Sequence, residues 1–160
     1  LNNSDRHVEF TCLEVNPTAL TIARRSIERS RSPFVHLLQE DIFSFEPEEP
    51  FDYAVGSMFF HHLSNEQIVA LIKKLCAFVK YGVFINDLYR SSVNYYACKL
   101  AVMTADPVVR HDALLSIRRG FTENELRYLL GRLRPYSVTV RRHWFYRITA
   151  TVLFNREQPQ

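Results

Sequence analysis

Short apolar runs alternate along this chain with longer stretches of helical periodicity, and that alternation restricts the fold more than any compositional total. Residues 8–15, 34–38, Phe51–Ser57 and 83–88 are strand-like, rich in β-branched and aromatic side chains and too short for stable helices. Between the first two, Asn16 offers an N-cap and Pro17 takes the first helical position ahead of Leu20, Ala23 and Ile27. Ser64 and Gln67 form a capping box before Ile68, Leu71, Ile72, Leu75 and Val79, and Gly82 is placed to close that helix in a left-handed turn. Beyond the fourth strand, residues 91–105 read as a helix and 106–120 as a short helix with a loop. Thr122 and Glu125 cap a further helix carrying Leu126, Leu129, Leu130 and Leu133, which Pro135 stops. Residues 136–141 and 145–154 read as a closing hairpin. The expected fold is α/β, one domain, with a mostly parallel sheet covered on both faces and an antiparallel hairpin at its end.

The totals exclude several classes. A chain of 160 residues with 47% apolar and 23% charged residues suits a single globular domain. No apolar run approaches a membrane span and no signal peptide is visible, so a soluble cytoplasmic protein is expected. Cys12, Cys76 and Cys98 lie in apolar runs without C-x-x-C spacing, which reads as buried reduced thiols, with no metal site. The net charge of +3 is too mild to imply nucleic acid, and Arg24, Arg25, Arg29 and Arg31 fit a solvated helix face. The opening Leu1-Asn2-Asn3-Ser4-Asp5 runs almost directly into a strand and reads as a cut rather than a natural start.

In a parallel sheet of this kind, ligands bind beyond the carboxyl ends of the strands. Glu14 ends the first strand, where a carboxylate can accept both hydroxyls of a ribose or simply favour a helix N-terminus. Asp41 follows the second, with apolar Ile42 beside it; the pair can take an exocyclic adenine amine and cover the ring, or be an ordinary loop. Gly56 and Ser57 end the third strand and would let a ligand approach the backbone. His61 and His62 follow. As sequence neighbours they should point apart, one into a reaction chamber and one into packing, with His62 favoured for the chamber.

The order and spacing of these segments resemble the class I S-adenosylmethionine-dependent methyltransferase family, and in particular its ubiquinone-biosynthesis-type small-molecule members. The resemblance rests on Glu14, Asp41-Ile42, Phe51-Asp52, His61-His62-Leu63 and the closing hairpin, and it covers nearly the whole chain. It implies a Rossmann-like sheet, S-adenosyl-L-methionine as cofactor, and Glu14, Asn16, Asp41, Ile42, Ser57 and Met58 as the cofactor-binding set. Asn86-Asp87-Leu88, Tyr95-Tyr96, Arg110-His111-Asp112 and Gly120-Phe121-Thr122 also resemble a subgroup acting on small aromatic or polyketide-like acceptors. His62 and His111 are then the candidate general bases, and His61, Tyr89, Arg90, Tyr95 and Tyr96 the candidate acceptor-binding residues.

One departure is large. The family's first, central strand carries a Gly-x-Gly loop, and this sequence has only Gly56, Gly82, Gly120 and Gly131, none in such a loop. The strands ending at Glu14 and Ser57 are therefore expected to carry unpaired inner edges. Two other readings stand beside the methyltransferase: a non-catalytic interaction domain using those edges, and a nucleic-acid methyltransferase or binder using Arg141, Arg142 and Trp144.

Overall fold

The computed structural model describes residues 8–132, 136–144 and 146–154, which fall into two compact units divided after Pro47. In the first, β1 (Phe10–Leu13) leads into α1 (Pro17–Ser30) and then β2 (Val35–Leu38). Asn16 caps α1 as its type predicts, its Oδ1 accepting from the Thr18 amide at 2.9 Å. The two strands pair in parallel, Leu13 opposite Leu38, so the residues following each strand leave the sheet side by side.

The second unit is built on a four-stranded sheet of order β3-β4-β6-β5. Its strands are β3 (Phe51–Ser57), β4 (Val79–Leu88), β5 (Tyr136–His143) and β6 (Arg147–Phe154). β3 and β4 are parallel and joined through α2 (Asn65–Phe78), while β6 pairs antiparallel with both β4 and β5. The expected parallel sheet and closing hairpin are both present. Among the described residues β1 pairs only with β2, and β3 only with β4.

Side chains alternate across these strands, and the alternation gives the sheet two unlike faces. Val83, Ile85, Ile148, Ala150 and Val152 are buried on one face together with Ile68, Leu71 and Ile72 of α2 and Leu126 and Leu130 of α5 (Glu123–Gly131). The intervening positions Tyr53, Val55 and Phe84 are exposed, so the expectation of cover on both faces fails in this unit. Both capping boxes form, at Ser64–Gln67 and Thr122–Glu125. Ser64→Ala and Thr122→Ala should each lower the urea unfolding free energy by about 1 kcal/mol, the ordinary worth of an N-cap oxygen.

Three sequence expectations are corrected. Gly82 does not close a helix: α2 ends at Phe78, β4 begins at Val79, and Gly82 lies within β4 opposite Leu153. A Cβ there would stand 2.5 Å from the Val152 carbonyl oxygen, so the glycine serves strand pairing. Residues 106–120 form one 13-residue helix, α4 (Pro107–Arg119), which Asp106 caps by accepting from the Val108 amide at 2.8 Å. The helix before it, α3, is Ser92–Ala101. The cysteines are free but not buried: Cys12 is exposed on β1, and Cys76 and Cys98 are half-buried. Leu133, Pro135 and Phe145 lie outside the described residues.

Candidate functional site

A cavity of about 410 Å³ opens in the second unit where β3 and β4 end and α2 and α5 begin. His61 and His62 form one wall, Ser64 and Asn65 at the start of α2 continue it, and Arg119, Phe121 and Tyr128 stand among the residues around the rest. His61 and His62 belong to a short 3₁₀ turn, Phe60–His62. Their rings do not point apart; the centroids lie 4.0 Å from each other at 40°. Both consecutive side chains line the same opening, whereas neighbours in a strand would point to opposite faces.

His61, the histidine expected in packing or acceptor binding, is the one held in place. It is buried, and its Nδ1 lies 2.7 Å from Oδ1 of fully buried Asp87. The His61 backbone amide donates to Asp87 Oδ2 at 3.2 Å and the Leu88 amide to Oδ1 at 2.7 Å. Burial alone would push the Asp87 carboxyl upward, but the hydrogen bonds from the His61 ring and these amides outweigh it and hold the group below 3.8. Asp87 is thus a carboxylate, Nδ1 is its donor, and in neutral His61 the lone pair falls on Nε2. His62 is exposed, yet partial burial, the His61 ring and the Arg119 guanidinium keep it below 6.5, against the opposing pull of Asp87 and Asp112. It is therefore mostly neutral at pH 7.

Arg90, just after β4, is bound to Glu125 and donates to the Arg118 carbonyl at 3.2 Å. Arg119 has no carboxylate partner among the described residues. The cavity therefore carries one uncompensated cation beside two imidazoles.

The side chains expected to contact a cofactor at the end of β3 lie across the sheet from this cavity. Ser57 Oγ accepts from Asn86 Nδ2 at 3.2 Å, and Asn86 alternates with buried Ile85 and Asp87. Ser57 and Asn86 therefore face the side opposite His61 and Asp87. Met58 is left-handed at φ 53°, its amide donates to the Asn86 carbonyl at 2.9 Å, and its Sδ is touched by Arg147 Nη1. Gly56 does not clear space for a ligand, because a Cβ there would fall 2.4 Å from Cε2 of Phe60. Its smallness admits that ring.

The remaining predicted acceptor residues do not form one chamber. Tyr89 lies under Arg142, Tyr95 under Arg118, and Tyr96 is exposed. His111 is exposed on α4 and does not line the cavity. In the sequence Asp87 stands out only as part of a motif; no local signal ties it to a histidine 26 positions earlier.

In the first unit, the two acidic candidates stand at adjacent strand ends. Glu14 Oε1 accepts from the Asn16 amide at 2.8 Å and Asp41 Oδ1 from the Phe43 amide at 2.9 Å. Each carboxylate is thus steadied through one oxygen and retains a second, Oε2 or Oδ2, for a ligand. That pair of acceptors fits the ribose hydroxyls and adenine amine of a nucleoside. The glycines supply no cradle for the methionine portion: Gly56 faces Phe60, Gly82 is within β4, Gly120 abuts Leu88, and Gly131 belongs to α5.

The chain matches the family profile described as a methyltransferase domain over residues 2–82. Comparison with curated protein sequences finds no significant match. Among solved structures, it is similar to the plantazolicin methyltransferase BpumL in complex with a pentazolic desmethylPZN analog and SAH. The identity is 12% and the TM-score 0.68, over 92% of this chain and 68% of that one. It also resembles the magnesium protoporphyrin IX methyltransferase of Synechocystis PCC 6803 with bound SAM, at 10% identity and TM-score 0.57, over 89% of this chain and 58% of that one. A third, the S-adenosylmethionine-dependent methyltransferase SibL in its apo form, is 16% identical with TM-score 0.64, over 93% of this chain and 44% of that one. The chain thus spans only part of each of these structures. It belongs to the methyltransferase domain family, within the class I S-adenosylmethionine-dependent fold that its strand-end residues resemble. Among the described residues no helix is long and apolar enough to cross a membrane.

Proposed function

We propose that this chain takes part in methyl transfer from S-adenosyl-L-methionine to a small aromatic or polyketide-like molecule. The observation that carries the reading is the pair of carboxylates at adjacent strand ends, each anchored by a backbone amide and each keeping one oxygen for a ligand. In this reading Glu14 holds the ribose hydroxyls, the position of Asn16 being fixed by that same carboxylate. Asp41 takes the adenine amine and Ile42 covers the ring. When bound, the cofactor supplies an electrophilic methyl group on a sulfonium. The chain's own work is to orient the acceptor and receive its proton, for which a neutral imidazole suits a phenol of pKa about 10. His62 fills that role in this proposal; His111, outside the cavity, does not.

The test is calorimetric titration of S-adenosylhomocysteine into the protein and into its Glu14→Ala variant. Binding that weakens at least tenfold in the variant is expected, since a charged hydrogen-bond acceptor contributes about 1.5–3 kcal/mol. Equal binding by both proteins, or none by either, overturns the assignment.

A further inference from the structure

The cavity at the start of α2 and α5 holds a feature that packing alone leaves without a use. His61 is 4% exposed, its Nδ1 is committed to Asp87, and its Nε2 has no protein partner. Among the described residues no buried side-chain nitrogen or oxygen lacks a hydrogen bond, so Nε2 is not sealed inside the fold. It opens on the cavity that His61 lines. Because Nδ1 is taken up by the Asp87 carboxylate, Nε2 is the ring nitrogen left for a ligand, and in the neutral ring it is an acceptor that calls for a donor on whatever occupies the space.

The other walls add two requirements. Arg119 is a cation without a carboxylate partner among the described residues, whereas Arg90 is already neutralised by Glu125. Arg119 also lies close enough to His62 to help lower its pKa, which places its charge at the same opening. Phe121 and Tyr128 contribute aromatic surface. A volume of about 410 Å³ lies within the range of small-molecule sites and admits one or two rings. We infer that this cavity is a binding site for a small aromatic acid bearing a hydroxyl group, its acidic group paired with Arg119 and its hydroxyl donating to His61 Nε2. The inference deepens the methyl-transfer reading, on which it rests for the role of this cavity, because His62, the acceptor's base there, lines the same space; its test uses neither Glu14 nor Asp41.

The experiment is a titration of histidine-¹⁵N-labelled protein with 3-hydroxybenzoate and 4-hydroxybenzoate, with benzoate as the control, followed through the ring nitrogens. Unliganded protein should show His61 in the Nδ1–H form. At least one hydroxybenzoate should shift the His61 Nε2 resonance saturably and bind about tenfold more tightly than benzoate, the worth of one hydrogen bond to a fixed acceptor. Arg119→Gln, a change at an exposed helix end, should keep the spectrum of the folded protein and weaken binding at least tenfold. The inference is overturned if neither hydroxybenzoate gives a saturable shift, if benzoate binds equally well, or if Arg119→Gln binds as the wild type does. Because the readout needs no cofactor, its failure leaves the S-adenosylhomocysteine result standing, and the reverse also holds.

Discussion

Asp87→Ala should lower the unfolding free energy by about 3–5 kcal/mol, which a urea titration at neutral pH will measure. The size follows from what one carboxylate holds. It accepts from the His61 ring at 2.7 Å, from the Leu88 amide at 2.7 Å and from the His61 amide at 3.2 Å, and its own side chain is closed to water. Each buried donor left without a partner costs about 1–3 kcal/mol, and three lose theirs at once. The loss should also depend on pH in a defined sense. Asp87 in the folded protein lies below its ordinary 3.8, so its contribution is fully present above that value and is lost as the pH falls from 3.8 through the folded-state pKa. The gap between wild type and variant should therefore narrow on the acid side, as the pH falls through the folded-state pKa of Asp87. Two other carboxyls steepen the acid limb in both proteins alike. Glu66 is held down by its own amide and the Ser64 hydroxyl; at Glu125 burial pushes upward, but the Thr122 amide and hydroxyl outweigh it. A loss below 1 kcal/mol would mean that His61 and the two amides find other partners, and the fixed orientation of the His61 ring would go with it.

How much of this is legible in the sequence depends on how local each cause is. The Asn16 cap, both capping boxes, the strand Phe51–Ser57 and the closing hairpin follow from residues within a few positions of one another, and they form as expected. α4 has a local signal too, in Asp106-Pro107, but its apolar stripe is weak and only Ile117 is buried, so periodicity does not support it. Gly82 and Gly56 mislead for a different reason. Glycine after an amphipathic run signals a left-handed cap, and glycine at a strand end signals room for a ligand. What decides each is a neighbour distant in sequence or hidden by the turn, the Val152 carbonyl for one and the Phe60 ring for the other. The pairing of His61 with Asp87 has no signature, since it depends on a turn after one strand meeting the last buried position of the next. Sequence locates the strand ends, but not which side chains share a face there. For that reason Ser57 and His62, close in sequence, turn to opposite faces of the sheet.

The same distinction between glycines sets the second large effect. Gly120→Ala should cost about 2–3 kcal/mol, while Gly131→Ala should be neutral or stabilise by up to about 1 kcal/mol. Gly120 has φ −59°, so backbone freedom is not what it provides. It provides clearance: a Cβ there would stand 2.6 Å from the Leu88 carbonyl oxygen and 3.1 Å from both Leu88 C and Cβ. The nearest obstacle is backbone and cannot swing aside. That carbonyl also accepts from the Phe121 amide at 2.9 Å, and the Arg90 amide donates to the Phe121 carbonyl at 2.9 Å. Forcing the two segments apart strains both bonds and shifts Arg119 and Phe121, which stand on either side of Gly120 at the cavity. A Cβ added at Gly131 would meet nothing within 4 Å, and this glycine ends α5, where alanine favours the helix. Urea midpoints of the two variants, with unchanged m-values, separate the cases. Should Gly120→Ala unfold at the wild-type midpoint, the join between β4 and the start of α5 is looser than its contacts indicate, and the cavity it frames is not rigid enough to select a ligand.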